Sequence, residues 1–302
     1  MKIYLFEPSS PSDPDTLGRS LELFKREFSF LCKDFLLCKA GQIGKANPDL
    51  PYIASTDEIK ADAFSRLIRK KEDFSIWFTR GGYGISRWLS HVDFDSLRNH
   101  LKKKLLMGFS DTTFLASILL KLGMPFLHCP MPSTLYKTEH KSRQAFYQFL
   151  NLGIVPRLSG LGLHTGICQG TLIGGNLTCL CHSIGTPGEP NWHDTILFLE
   201  DCGEDVYRID RMLTQLIECG ILDKVKGIAL GSFLLGSNKE SSSKLLTALF
   251  KDRLLPLAKP LVAKLPIGHG RANMPILLGT TYEIDGQKGT LTPIFQPLRK
   301  RR

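Results

Sequence analysis

The chain has 302 residues, 39 Lys and Arg against 29 Asp and Glu (net charge +10), 42% hydrophobic and 23% charged residues. That balance excludes disordered and fibrous classes, and the length predicts two domains of ordinary size rather than one core. No apolar run approaches the length of a membrane span, which excludes a helical membrane protein.

The opening apolar run, Ile3 to Phe6, is ended by Glu7 and Pro8 and is far too short for a secretory leader, so a cytoplasmic location is expected. It reads as a first strand with a Ser9-Ser10 loop behind it. Residues 17–30 carry a helical apolar face, 35–38 read as a second strand, and Asp57 opens a further helix on which Ala61, Phe64, Leu67 and Ile68 recur. Ile76 to Phe78 is a buried strand stopped by Arg80-Gly81-Gly82-Tyr83-Gly84, a turn of nearly bare backbone.

Leu105 to Phe109 is another strand, ended by Ser110. Asp111, Thr112 and Thr113 then form a first helical turn, with Leu115, Ile118, Leu119 and Leu122 as its apolar face. A serine at a strand-to-helix turn has its hydroxyl lifted out of the backbone beside unpaired N–H groups, a setting for a nucleophile as well as for a helix cap. Gly108-Phe109-Ser110-Asp111 matches only the first half of the G-x-S-x-G elbow.

A strand at 125–128 and a polar helix at 141–150 close the first block. Strands alternating with helices imply a largely parallel sheet covered on both faces, with ligands at the carboxyl edge where Ser9-Ser10, Gly81-Gly82 and Ser110 fall. The stretch 153–169 has little periodicity and reads as a linker between domains at 1–152 and 170–302. Beyond it come a strand at 170–173, a turn at Gly174-Gly175-Asn176, a helix at 177–184, a strand at 196–199, a helix at 209–219, a strand at 227–231 and a helix at 245–255. Short strands near 261–265, 282–284 and 290–293 complete the chain, so the fold class is α/β with two domains.

A nucleophilic serine needs a base, and the base needs an orienting partner. Of eight histidines, His269 stands out in Pro266-Ile267-Gly268-His269-Gly270, a glycine-flanked turn that can aim a side chain into a cleft; taken alone, a loop histidine is more often surface. Glu200 ends the apolar run 196–199, and a carboxylate there needs a partner: a histidine, Arg208, Arg211 or solvent. Glu204 is the fallback acid. Backbone N–H groups of Asp111 and of Gly81 or Gly82 are candidate oxyanion donors.

The segments 80–84 (R-G-G-Y-G), 108–113 (G-F-S-D-T-T), 174–177 (G-G-N-L), 197–201 (L-F-L-E-D), 207–216 (Y-R-I-D-R-M-L-T-Q-L) and 266–270 (P-I-G-H-G) together resemble, in order and spacing, the serine LD-carboxypeptidases. That family comprises muramoyl-tetrapeptide carboxypeptidases and microcin C self-immunity peptidases. The resemblance spans nearly the whole chain and implies a flavodoxin-like N-terminal domain carrying Ser110 and a smaller α/β domain carrying Glu200 and His269. It implies release of terminal D-alanine from a murein tetrapeptide by a Ser-His-Glu triad, with Gly82 and Asp111 in the oxyanion hole, and a homodimer. One departure is Cys129, where relatives have glycine in H-G-P-M; it adds bulk at a turn expected near the cleft. As a nucleophile Cys129 has no base placed for it.

Other functions fit the residues less well. Gly174-Gly175-Asn176 lacks the lysine of a phosphate loop and the third glycine of a dinucleotide fingerprint, so no cofactor is expected. The acidic residues 200–205 lack a histidine pair at ligand spacing, so no metal is expected; the eight cysteines lack the spacing of a disulfide framework, which agrees with a reducing compartment, and Cys179 and Cys181 read as buried small hydrophobes. The basic runs 102–104 and 299–302 lack aromatic interleaving, so nucleic acid is not an expected partner. Two alternatives remain: hydrolysis of an amide joining a peptide or amino acid to a nucleotide, which an aromatic residue beside the cleft would favour, and non-catalytic binding of murein fragments. Arg80 and Arg271 are the candidates for holding the substrate's terminal carboxylate.

Overall fold

The computed structural model describes residues 1–32, 34–236 and 239–294, and the basic run 299–302 lies outside them. Five parallel strands come first: β1 (Lys2–Phe6), β2 (Leu36–Ala40), β3 (Ser75–Phe78), β4 (Leu105–Gly108) and β5 (Phe126–His128). They are followed by β6 (Leu158–Ser159), β7 (Leu161–His164), β8 (Ile167–Asn176), β9 (Thr195–Glu204), β10 (Gly227–Leu235) and β11 (Leu261–Ala263). The chain ends in β12 (Ile276–Leu278), β13 (Thr281–Asp285) and β14 (Thr290–Pro293). Two sheets result, ordered β12-β5-β4-β3-β1-β2 and β6-β14-β13-β8-β9-β10-β11-β7.

In the first sheet, successive side chains point to opposite faces. Ile3, Leu5, Trp77, Met107 and Leu127 enter one apolar cluster with Phe24 and Phe28 of the helix Pro14–Phe28 and Phe146 of the helix His140–Leu152. Tyr4, Phe6, Ile76, Phe78, Leu106 and Phe126 enter the other with the helix Asp57–Ile68. Asp13 caps the first of these helices by accepting from Thr16 N at 2.8 Å, with Pro14 at its first position.

The same period of two decides the second sheet. On β9, Leu197 and Leu199 pack towards the helices Leu177–Ser183, Val206–Glu218 and Lys239–Leu254, whereas Ile196 and Phe198 join the cluster that also contains Phe109, Phe126 and Met131 of the first sheet's side. Glu200, two residues past Phe198, therefore faces the first sheet, and Asp201 faces away.

Segments given no element, 85–89, 94–101, 132–135 and 221–224, form short helices, and three others also differ from the sequence reading. Residues 158–164, read as linker, form β6 and β7, and residues 276–278, given no element, cross back as β12 to pair antiparallel with β5. Gly174-Gly175-Asn176, read as a turn, completes β8. There φ is +129° and +146° at the two glycines, and a Cβ at Gly174 would sit 1.9 Å from the Phe198 carbonyl oxygen. Glycine is needed because β8 runs against the backbone of β9 at that point.

Candidate active site

Ser110 stands between β4 and the helix Thr113–Lys121, in a one-turn 3₁₀ segment Ser110–Thr112. Its φ is +65°, a left-handed value uncommon for a side chain other than glycine, asparagine or aspartate, and the conformation lifts the hydroxyl off the strand end. Two hydroxyls hold this bend: Thr112 Oγ1 donates to the Phe109 carbonyl at 2.9 Å and Thr113 Oγ1 to the Ser110 carbonyl at 2.7 Å.

The Gly81-Gly82 turn lies against it. A Cβ at Gly81 would be 2.9 Å from Ser110 Oγ, and one at Gly82, whose φ is +102°, would be 2.3 Å from Ser10 Oγ. Ser10 N–H donates to the Gly81 carbonyl at 3.2 Å, and Tyr83 N–H donates to Ser10 Oγ at 3.2 Å. In a trans peptide the carbonyl and the following N–H point in opposite directions, so the Gly82 N–H points away from Ser10 N. Asp111 N–H belongs to the first turn of the 3₁₀ segment, where a backbone donor has no intrahelical acceptor.

The second sheet brings the other two groups. His269 Nε2 is 3.0 Å from Ser110 Oγ and its Nδ1 is 2.6 Å from Glu200 Oε2, joining positions 159 and 69 residues apart in sequence. Glu200 is fully buried, and the His269 side chain is partly buried, 16% exposed. Gly268, with φ +109°, lets the two meet: a Cβ there would lie 2.6 Å from Glu200 Oε2. The His269 loop is held by Asn273 Oδ1, which accepts from Gly268 N at 3.1 Å, and by Ser232 Oγ, which accepts from Gly270 N at 3.1 Å. Phe109 covers one side of the imidazole, ring centroids 4.7 Å apart.

The electrostatics follow from burial and neighbours. Burial pushes His269 towards its neutral form, but the Glu200 carboxylate outweighs it and raises the imidazole to about 10. His128, buried in the same cluster between Phe109 and Phe198, is lowered to about 3 by burial and by His269, and so stays neutral. Asp111 is raised to about 6 by burial, which the Ser9 hydroxyl, the Ile85 N–H and Lys60 only partly offset.

The remaining sequence candidates separate. Asp111 caps not its own helix but the helix Ile85–Leu89, accepting from Ile85 N at 3.0 Å. Glu204 lies 3.7 Å from Arg208, and the structure puts Glu200 rather than Glu204 on His269. Arg80 donates to the Pro11 carbonyl at 2.5 Å. Arg271 is exposed, its guanidinium without a hydrogen-bond or ion-pair partner among the described residues. Cys129, expected near the cleft, instead packs with Ile3, Leu5 and Trp77 on the far face of the first sheet, where burial pushes its thiol up. It turns away because it is one residue past His128, whose side chain takes the cleft face.

Sequence reasoning missed Ser232, Asn273 and the pair Tyr52 and Tyr83. Ser232 was legible as the first polar residue after the run 227–231; Asn273 gave no signal. The tyrosines are half exposed beside the glycine turn, ring centroids 6.1 Å apart, and only the fold brings them together. Among the described residues no group of three or more His, Cys, Asp or Glu side chains is placed to hold a metal ion, and no helix is long and apolar enough to cross a membrane.

Comparison with known proteins adds the family. The profile of the LD-carboxypeptidase N-terminal domain matches residues 3–129 and that of the LD-carboxypeptidase C-terminal domain residues 169–284. A putative carboxypeptidase of Synechocystis sp. is 36% identical over 246 residues, covering 80% of this chain and 79% of its own length. The murein tetrapeptide carboxypeptidase of Pseudomonas aeruginosa is 32% identical over 249 residues, covering 78% and 80%. The crystal structure of muramoyltetrapeptide carboxypeptidase from Oxalobacter formigenes superposes with a TM-score of 0.82 at 26% identity, covering 96% of this chain and 97% of that one.

Proposed function

Because this chain belongs to the LD-carboxypeptidase family, we propose that it removes the terminal D-alanine of murein tetrapeptides with Ser110 as nucleophile, His269 as base and Glu200 as the acid that orients it. The observation that carries the assignment of roles is the continuous chain Ser110 Oγ, His269 Nε2, His269 Nδ1, Glu200 Oε2 at 3.0 and 2.6 Å.

Ser110 Oγ attacks the carbonyl between the L-centre and D-alanine while its proton passes to His269. The buried Glu200 carboxylate accepts from Nδ1, so that the neutral form of His269, which is the form that reacts, has Nε2 free to accept, and it stabilises the imidazolium that forms. Negative charge on the carbonyl oxygen is met by the N–H groups of Gly82 and Asp111, which are fixed before the reaction and so need no reorganisation. His269 then delivers its proton to the leaving nitrogen as the C–N bond breaks. Water, deprotonated by His269, hydrolyses the acyl-serine.

The test is mass-spectrometric detection of D-alanine released from a tetrapeptide ending in diaminopimelyl-D-alanine. Native protein is expected to release it, and Ser110→Ala to release at least about 10³-fold less. Release by both proteins alike would remove Ser110 from the mechanism. Hydrolysis of nucleotide-linked amides is the second reading, favoured by the exposed Tyr52 and Tyr83 beside the glycine turn, and the same assay on an aminoacyl-nucleotide amide decides between them. A cytoplasmic location and a homodimer belong to this proposal too, to be checked by cell fractionation and by sedimentation.

A further inference from the structure

His269 owes little of its position to the turn that carries it. Gly268 and Gly270 flank it, and φ at Gly268 is +109°, so the turn has almost no side chains with which to pack and its backbone is free wherever it is not tethered. A misplacement of about 1 Å at a reacting group can cost about 10²-fold in rate. The tethers therefore decide whether His269 reaches Ser110 and Glu200 together.

One tether comes from the second sheet. Along β10, Leu230 pairs with Leu199 of β9 and Phe233 with Asp201, so Gly231 and Ser232 both stand opposite Glu200 in a β-bulge. The bulge turns Ser232 onto the His269 turn, where its N–H donates to the Ile267 carbonyl at 2.8 Å and its hydroxyl accepts from Gly270 N at 3.1 Å. These bonds hold the turn to the strands that carry Glu200. They do not fix it relative to Ser110, which belongs to the first sheet.

The other tether does. Asn273, 2% exposed, accepts from Gly268 N on Oδ1 at 3.1 Å, and its own N–H donates to Ser142 Oγ at 3.1 Å. Ser142 is buried in the first turn of the helix His140–Leu152, which packs on the first sheet through Phe146 and Phe149. At the start of that helix the Glu139 N–H, which has no intrahelical acceptor, donates to the Arg271 carbonyl at 2.8 Å. Asn273 also lies against His128 at the end of β5. Residues 271 and 273 are thus fastened to the first domain, and Asn273 passes that position back to the backbone just before His269. Ser142 itself hydrogen-bonds to Asn273 and Glu139 and, among the described residues, to no member of the triad.

We infer that Ser142 and Asn273 are positioning residues for the reaction: the strut from Ser142 through Asn273 to Gly268 sets the imidazole of the second domain at hydrogen-bond distance from the Ser110 hydroxyl of the first. The inference rests on the triad reading above.

Ser142→Ala, Asn273→Leu and Asn273→Asp test it through two readouts. Leucine fills the volume of asparagine without its acceptor, and aspartate keeps the acceptor. On the tetrapeptide, Asn273→Leu should lower kcat about 10- to 100-fold with KM within about threefold of native, because a displaced imidazole impairs proton transfer rather than substrate binding. Asn273→Asp should recover kcat to within about fivefold of native. Ser142→Ala should lower kcat about tenfold and add nothing to Asn273→Leu, since both act through one chain of contacts. The second readout needs no peptide: labelling of Ser110 by a phosphonofluoridate, followed by mass spectrometry, should slow in parallel with kcat. Labelling and kcat within about threefold of native in Asn273→Leu, or losses that multiply in the double variant, would overturn the inference. Should Asn273→Leu not fold, Ser142→Ala decides, and native kcat and labelling in that variant overturn the strut. If the native protein is labelled but cleaves no peptide, the substrate reading has failed and the labelling rates alone uphold or overturn the strut. If it is neither labelled nor active, the triad reading has failed and the inference falls with it.

Discussion

Glu200→Gln is the most informative perturbation of the proposed machinery. Glutamine keeps the shape of a side chain that is fully buried and 2.6 Å from His269 Nδ1, so the fold should survive. What it removes is the negative charge, and it offers Nδ1 either a donor or a neutral acceptor. With the NH₂ towards Nδ1, the imidazole is held in the tautomer whose Nε2 carries the proton and cannot accept from Ser110. The comparable change in a serine protease costs about 10⁴ in kcat, and at 1.36 kcal/mol per decade that is about 5.4 kcal/mol of transition-state stabilisation.

The pH profile carries an independent reading. Glu200 is the group that raises His269 against the effect of burial. His269 acts as a base only when neutral, so activity appears as pH rises through its pKa. Without the carboxylate that pKa falls, and the acidic limb of kcat/KM should move to lower pH by at least about one unit. The assay is D-alanine release across pH 5 to 11 for both proteins, since the native limb is expected near the raised pKa of His269, about 10. Residual activity above about a tenth of native, or a limb moved upward, would refute the role of Glu200.

Other perturbations follow from buried groups. Asp111→Asn should stabilise the protein at pH 7 by about 1–3 kcal/mol, because folding raises this carboxyl from 3.8 to about 6. The favourable contribution of the acid is complete below about pH 4 and lost as pH rises through 6, so urea unfolding at pH 4.5 and pH 7 should differ less in the variant than in the native protein. Gly268→Ala places a methyl group 2.6 Å from Glu200 Oε2 at a φ of +109°. It should lower kcat/KM at least about 100-fold with an unchanged far-UV spectrum, since the displaced groups are His269 and Glu200 rather than a core element. Asp201→Ala removes the acceptor of Thr178 N, Thr178 Oγ1, Asn176 Nδ2 and Cys202 N. With those donors unpaired in the interior, a loss of about 3 kcal/mol or more is expected in denaturant unfolding.

How much of this was legible beforehand differs between elements for physical reasons. Buried parallel strands announce themselves as short apolar runs ended by glycine or a polar residue, so β1, β3, β4 and the turn at Ser110 could be read locally. So could Gly81-Gly82 and Gly268, because bare backbone at a strand end has few uses other than close approach. Strands β6 and β7 sit at the two edges of the second sheet, where pairing on one side only imposes no strict hydrophobic pattern, and β12 has three residues. None of these leaves a periodic signal. Gly174-Gly175 misled because glycine marks close backbone approach as well as turns, and the sequence does not say which.

The sequence by itself determined that a serine stands at a strand-to-helix turn, that a histidine stands between glycines, and that a carboxylate ends a buried run. Only the tertiary structure decided that they meet. The alternation of side chains along β9 sends Glu200 to the same face as Phe198 and so towards the first sheet, and packing of those two faces sets His269 between Glu200 and Ser110. Contacts across 159 residues depend on how two sheets dock, and that is a property of their packed surfaces, which no local window of sequence contains.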